Sequence, residues 1–163
     1  MGIVTKRGDK GFTFLFQKRL RKSSKIIEAI GTLDELSSFL GVVKSFAPRK
    51  EKELLEELQK DLMLIGEGLA KNYLTEEKKK FLKGKIEWLE KEMENKERDI
   101  KISQFILPGK NSLSAWFDLL RAITRKLERR IVALKRKNKH LLLCYLNRLS
   151  DFLFLYAREH EKS

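Results

Sequence analysis

The sequence predicts an all-α fold: a five-helix antiparallel bundle, up-and-down and ferritin-like, preceded by an irregular N-terminal segment. Three observations predict it. Apolar residues recur at helical spacing through most of the chain after residue 24. The two prolines, Pro48 and Pro108, fall between those periodic stretches, where they end or start helices. Nothing after residue 24 reads as a convincing sheet, and no internal repeat is evident. At 163 residues one domain is the natural expectation, with residues 1–23 as a loop-like lead and residues 24–160 as the bundle.

Each helix has its own signature. From Ser24 to Phe46, Ile26, Ile27, Ile30, Leu33, Leu36, Leu40 and Val43 mark one apolar stripe. Leu54, Leu55, Leu58, Leu62, Ile65 and Leu69 define a second helix, over about Lys50 to Tyr73. Thr75 is the expected N-cap of a third, which carries Phe81, Leu82, Ile86, Leu89 and Met93. Residues 95–110 are the least periodic part, a charged turn and an alternating run closed by Pro108-Gly109. A fourth helix is expected from Ser112 to Arg136 and a fifth from Lys139 to Glu159. In the fifth, 12 of the 16 residues from Leu141 to Tyr156 are apolar, which predicts contact with a second subunit.

Composition excludes several classes of function. The apolar fraction, 42%, is too high for a disordered chain. Cys144 is the only thiol, so no intrachain disulfide forms, and a reducing compartment fits. No secretory signal opens the sequence, and polar residues interrupt its most apolar stretch, so a cytoplasmic domain without a membrane span is expected. Only two histidines occur, His140 and His160, and neither belongs to a zinc-protease or di-iron pattern. His140 and Cys144 are four apart, but two ligands fall short of a zinc site. The formal charge is +13, and residues 1–25 hold eight Lys/Arg against one Asp. A basic, glycine-punctuated segment points to an anionic ligand more than a uniformly basic surface would.

Three constellations can carry chemistry. In Thr5-Lys-Arg-Gly-Asp-Lys-Gly-Phe-Thr13, Gly8 and Gly11 permit positive φ and close backbone approach, while Thr5, Thr13 and Lys6 supply donors. Such a loop can wrap phosphate oxygens, with Asp9 ordering it or helping to hold a cation. The same residues also make an ordinary turn between two extended pieces. On the fourth helix Arg121, Arg125, Glu128 and Arg129 fall within about 100° of arc, opposite the apolar face. Arginine there suits bidentate contact with phosphate or carboxylate, and a solvated, salt-bridged face is the plainer alternative. On the fifth helix Asn147 and Asp151 are i, i+4 partners on a mostly apolar element, serving either a ligand or a structural network.

In this order the pieces resemble the PduO-type ATP:cob(I)alamin adenosyltransferases, the corrinoid adenosyltransferases. The resemblance rests on Thr5-Lys6 with Gly8-Asp9-x-Gly11-x-Thr13, on Glu28-Ala-Ile-Gly-Thr-Leu-Asp-Glu-Leu36 and on Phe105-Ile-Leu-Pro-Gly109. It continues through Arg121-x-x-x-Arg125-x-x-Glu128-Arg129 and Tyr145-Leu-Asn-Arg-Leu-Ser-Asp151. What it implies is a homotrimer with sites between adjacent subunits, where cob(I)alamin attacks the 5′-carbon of ATP and triphosphate leaves. It implies that Thr5, Lys6, Gly8, Asp9, Gly11, Thr13, Arg19 and Lys22 line the ATP site of one subunit. Arg125, Glu128, Arg129 and Asn147 then come from the next. Asp34 and Arg121 form an interface salt bridge, and Phe105 packs below the corrin ring. Mg²⁺ accompanies ATP, with no protein-only metal site. A cob(II)alamin reductase or an adenosylcobalamin-dependent enzyme is the implied protein partner.

The chemistry explains the sparse inventory. Cobalt is itself the nucleophile, so no catalytic Ser, Cys or His is needed; the protein must align the ribose carbon and neutralise a departing triphosphate. Arg7, Gln17-Lys18, Ser37 and Lys110 depart from the family pattern, which keeps an ATP-binding trimer without turnover as an alternative. A basic helical nucleic-acid module, suggested by the runs Lys78–Lys80 and Lys135–Lys139, is the reading from another class, and it lacks a recognition helix or stacking platform.

Overall fold

The computed structural model describes residue 6, residues 8–100 and residues 105–161. Among the described residues a two-stranded hairpin, β1 (Phe12–Leu15) and β2 (Lys18–Arg21), precedes five helices. These are α1 (Lys25–Phe46), α2 (Arg49–Lys71), α3 (Glu76–Glu97), α4 (Ser112–Val132) and α5 (Lys139–Glu159). None is long and apolar enough to cross a membrane.

Local chemistry sets the helix ends. Ala47 is extended, as the residue before Pro48 must be, and α1 stops there. Asn72, in the left-handed region, ends α2. Thr75 Oγ1 accepts from the Lys78 amide at 3.3 Å, the N-cap expected for α3. Asn111 and Ser114 form a reciprocal capping box at the start of α4. The fourth helix stops at Val132, earlier than the expected Arg136. A helix reaching Arg136 would leave only residues 137 and 138 to reverse the chain. Instead residues 133–138 make the turn: the Lys137 amide donates to Asn72 Oδ1 at 2.9 Å, and Asn138 takes a φ of 59°.

The hairpin is the regular element that the sequence reading left irregular. Its antiparallel register pairs Phe12 with Arg21, Thr13 with Leu20, Phe14 with Arg19 and Leu15 with Lys18. Opposed residues share a face, so Phe12, Phe14, Arg19 and Arg21 lie on one side and Thr13, Leu15, Lys18 and Leu20 on the other. Leu15 and Leu20 pack against the bundle core, which fixes the inner face. The connecting turn puts Phe16 at φ 53°, without the glycine that usually signals a two-residue hairpin loop.

The helices pack in the spatial order α2, α1, α4, α5, α3. The fifth helix sits between α4 and α3 and is buried nearly all round: Leu142, Tyr145, Leu146, Leu149, Phe152, Leu153, Tyr156 and Ala157 are core residues. One protomer thus covers the apolar girth of α5. Leu141, Leu143 and Phe154 of the same helix remain half-buried.

One polar pair lies inside this core. Tyr145, fully buried, donates its hydroxyl to Asp61 Oδ2 of α2 at 2.8 Å. Asp61 Oδ1 accepts no hydrogen bond and is 3.8 Å from Lys85 Nζ of α3. Burial pushes the Asp61 carboxyl above its ordinary value, against the opposing pull of the Tyr145 bond and the Lys85 charge. A carboxyl whose folded pKa is raised binds more protons in the native state, so it lowers stability as pH rises through and beyond the unfolded value. Replacing Asp61 with Asn keeps an acceptor for Tyr145 and removes that charge. Asp61→Asn should therefore raise the melting temperature at pH 7 and flatten its decline between the ordinary carboxylate pKa and neutrality. Tyr145→Phe, which leaves the buried carboxylate without its donor, should cost about 1–3 kcal/mol in urea unfolding.

Candidate functional site

Lys6 and residues 8–22 form a basic strap at the end of the bundle where α2 and α4 finish. Its turn is tied by backbone bonds from Asp9 N to Lys6 O (3.4 Å), Gly11 N to Gly8 O (3.2 Å) and Lys22 N to Gly11 O (2.9 Å). Gly11 has a φ of 76°, a conformation costly for any residue with a Cβ. Gly8 serves another purpose: an added Cβ would lie 3.0 Å from Lys22 Nζ, so the ammonium rests over the bare backbone of the loop. The loop thus meets the end of β2, and Lys6, Gly8, Asp9, Gly11 and Lys22 come together. Thr5 lies outside the described residues. Strand alternation separates two other candidates. Thr13 is half-buried on the inner face, whereas Arg19 is on the outer face with its guanidinium 4.1 Å from the centre of the Phe12 ring. The cleft beside the strap, about 780 Å³, is bounded by Phe16, Gln17 and Lys18 of the hairpin turn and by Lys71, Asn72 and Arg136.

The arginine row of α4 stands apart from this strap. Arg121 and Arg125 line a cleft of about 520 Å³ between α3, α4 and α5, together with Glu90, Arg148, Asp151 and Phe154. Arg121 is eleven residues before Val132, about 16 Å of helix rise from the bundle end that carries the hairpin. Arg125 and Arg129 are exposed and Glu128 is half-buried. Asn147 of α5 is half-buried and Asp151 exposed, so neither is the enclosed polar group expected of a helix so apolar.

A buried network that the sequence reading missed lies beside Arg121, whose own Nε makes no hydrogen bond among the described residues. Its Nε lies 3.7 Å from Asp118 Oδ1 on the preceding turn, and Asp118, buried, also pairs with the buried Arg158 of α5. Arg158 in turn reaches Glu161 at 3.1 Å. The only signal for this was the i, i+3 spacing of Asp118 and Arg121. Within one protomer Asp34 is exposed on α1, and the carboxylate near Arg121 is that of Asp118.

Phe105 lies at the opposite end of the bundle, just before α4, with 88% of its surface exposed, and Leu107 beside it is 78% exposed. The loop itself is anchored. Lys110 Nζ donates to the Glu161 carbonyl at 2.8 Å, and Asn111 Nδ2 donates to the His160 carbonyl at 2.7 Å. A tethered loop that holds two large apolar side chains in water is arranged to meet an apolar surface. Elsewhere, Cys144 Sγ and His140 Nε2 are 3.6 Å apart, and among the described residues no group of three His, Cys, Asp or Glu side chains could hold a metal ion.

The chain is similar to known proteins over nearly its whole length. A family model described as cobalamin adenosyltransferase matches residues 3–160. A corrinoid adenosyltransferase of Citrobacter freundii is 39% identical, covering 98% of this chain and 94% of its own. One of Bacillus subtilis is 38% identical, over 97% and 86%. Among solved structures, a variant PduO-type ATP:corrinoid adenosyltransferase from Lactobacillus reuteri, complexed with cobalamin and ATP, is similar with a TM-score of 0.83. It is 31% identical, covering 99% of this chain and 91% of that one.

The buried network makes a checkable demand. Removing Asp118 leaves the buried Arg158 with Glu161 as its remaining carboxylate, so Asp118→Ala should destabilise the fold by at most about 3–5 kcal/mol in chemical denaturation. Arg125→Ala, at an exposed position, should change stability by less than about 0.5 kcal/mol in the same experiment.

Proposed function

The chain belongs to the cobalamin adenosyltransferase family, and from that premise we propose that it adenosylates cob(I)alamin with ATP, at sites shared between neighbouring subunits of a homotrimer. The observation that carries the activity is its fold and sequence likeness, over 99% of the chain, to an adenosyltransferase holding cobalamin and ATP. In the reaction the cobalt lone pair forms a bond to the 5′-carbon of ATP. The carbon–oxygen bond to the triphosphate breaks, and the triphosphate leaves with its electrons.

The residues divide this work between two surfaces. On the strap, the loop amides, Lys6 and the Lys22 ammonium over Gly8 offer a positive concavity to the triphosphate. We propose that Thr5, Thr13, Asp9 and Arg19 complete that side. Thr13 acts from the inner strand face, and Arg19 must leave its stack on Phe12 to reach a phosphate. Mg²⁺ would travel on the triphosphate oxygens, neutralising part of their charge, with Asp9 the one acidic side chain of the strap. From the next subunit Arg125 and Arg129 supply charge that stabilises the departing triphosphate, and Glu128 and Asn147 orient the ribose. Phe105, already held out in solvent, covers one face of the corrin and keeps water from the reduced cobalt.

Two features of the protomer support the assembly. The strap and the Arg121–Arg125 cleft occupy different regions of one chain, so a site needing both draws on two chains. A second apolar strip lies on the α1/α4 face, where Phe39 and Phe46 flank Trp116 with ring centres 6.1 and 6.2 Å away. Phe46 and nearby Val42 and Leu119 are exposed. Covering that strip with a copy of the chain would bring Asp34, also on α1, into the interface. There it would reach the neighbour's Arg121.

An anaerobic assay with chemically reduced cobalamin and Mg·ATP, followed by the corrin absorption change, tests the activity directly. Adenosylcobalamin should form, with triphosphate as the second product. Arg125→Ala should lower kcat/KM by about tenfold or more, through loss of a charged contact to the leaving group. Phe105→Ala should slow corrinoid turnover while leaving the ATP-induced rise in melting temperature unchanged.

A further inference from the structure

Arg148, next to Asn147 on α5, has no role in the site as described so far. Its guanidinium nevertheless makes two of the better-formed side-chain bonds on this face. Nε donates to Glu90 Oε1 of α3 at 2.7 Å, and Nη1 donates to Asn147 Oδ1 at 2.7 Å. The pair is partly exposed, 38% and 44%, so as a salt bridge it adds little to stability. Its consequence is directional. Arginine has only donors, so the amide facing it must present its oxygen. The amide nitrogen of Asn147 is thereby turned away from Arg148, and among the described residues it has no hydrogen-bond partner of its own.

We propose that Glu90 and Arg148 are positioning residues that hold Asn147 as a hydrogen-bond donor toward the ribose oxygens of the bound nucleotide. The inference rests on the nucleotide site proposed above and specifies how one of its polar contacts is oriented. A free asparagine presents donor and acceptor with little preference, and a ribose hydroxyl, itself both, would accept either. Clamping the oxygen removes that ambiguity and the entropy of the amide rotor before ATP arrives. The clamp spans two helices, because Glu90 is on α3 and Arg148 on α5, so the amide orientation is tied to the packing of the bundle rather than to one side chain. Arg148 also lines the cleft that holds Arg121 and Arg125, which puts the clamped amide at the edge of the proposed phosphate-binding row.

The test measures ATP affinity by calorimetry, along with KM and kcat, on the full chain in its native assembly. Arg148→Ala and Glu90→Gln should each raise the ATP dissociation constant and KM about five- to twentyfold, with kcat within about twofold. Arg148→Lys can still meet Glu90 but cannot bridge to the amide, so it should behave like the alanine variant. Asn147→Asp keeps an acceptor for Arg148 and loses the donor; it should lose ATP affinity as fully as Asn147→Ala. In an Asn147→Ala background, Arg148→Ala should add almost nothing. A salt bridge with only a structural role would instead lower the melting temperature in either background and be rescued by lysine. Wild-type protein that binds ATP alongside an Arg148→Ala variant of equal affinity overturns this inference alone. Failure of the wild type to bind ATP overturns the nucleotide site as well.

Discussion

The architecture depends on the burial of α5. Its apolar residues surround the helix, so the chain must cover it from more than one side, and α4 and α3 do so. That demand commits the inner face of α4, through Ile123, Leu127 and Ile131, to the core. The arginines on its other side are left over. They cannot enter the core, and the elements that enclose α5 also carry Glu90, which accepts from Arg148 Nε, and Asp118, which lies 3.7 Å from Arg121 Nε. Placement of positive charge is therefore a by-product of hydrophobic necessity, with a few buried or half-buried acids fixing its direction.

The same reasoning explains why the strap and the Phe105 loop lie at opposite ends of the protomer. The strap gains its shape from two glycines used differently, Gly11 for its positive φ and Gly8 for the room it gives Lys22. Among the described residues Leu15 and Leu20 dock it to the core at one end of the bundle. Phe105 and Leu107 are held out at the other end by Lys110 and Asn111, which bond to backbone carbonyls just beyond α5. Neither surface closes on a ligand alone. A reaction whose nucleophile is the metal of its own substrate requires alignment, charge neutralisation and dryness, and rigid half-sites that close together supply all three.

Much of this was legible in the sequence. Periodic leucines and isoleucines fixed five helices, and Thr75 marked a cap that forms as expected, because capping and amphipathicity are local rules. The hairpin was not legible. Its strands are four residues each, mixed with Arg and Lys, and its turn is built on Phe16 instead of glycine. The end of α4 was misplaced because the turn depends on Asn72, remote in sequence. The arginine row was visible as a pattern. What orients it was not, since the Asp118–Arg158 and Glu90–Arg148 pairs join different helices and no spacing rule reports them. Composition gave the apolar girth of α5 but not that α4 and α3 of its own chain supply most of its cover.

The central claim is that the strap of one protomer and the arginine row of the next make one site. Mixing two inactive variants tests it most directly: Lys6→Ala, which spoils the strap, and Arg125→Ala, which spoils the row, co-expressed with different tags and purified as mixed assemblies. In a three-membered ring of head-to-tail seams, every mixed assembly joins an intact strap to an intact row at about a third of its sites. Recovery of about a third of wild-type adenosylation is the predicted result. Mixed assemblies no more active than either parent would contradict the account and place the whole site within a single chain.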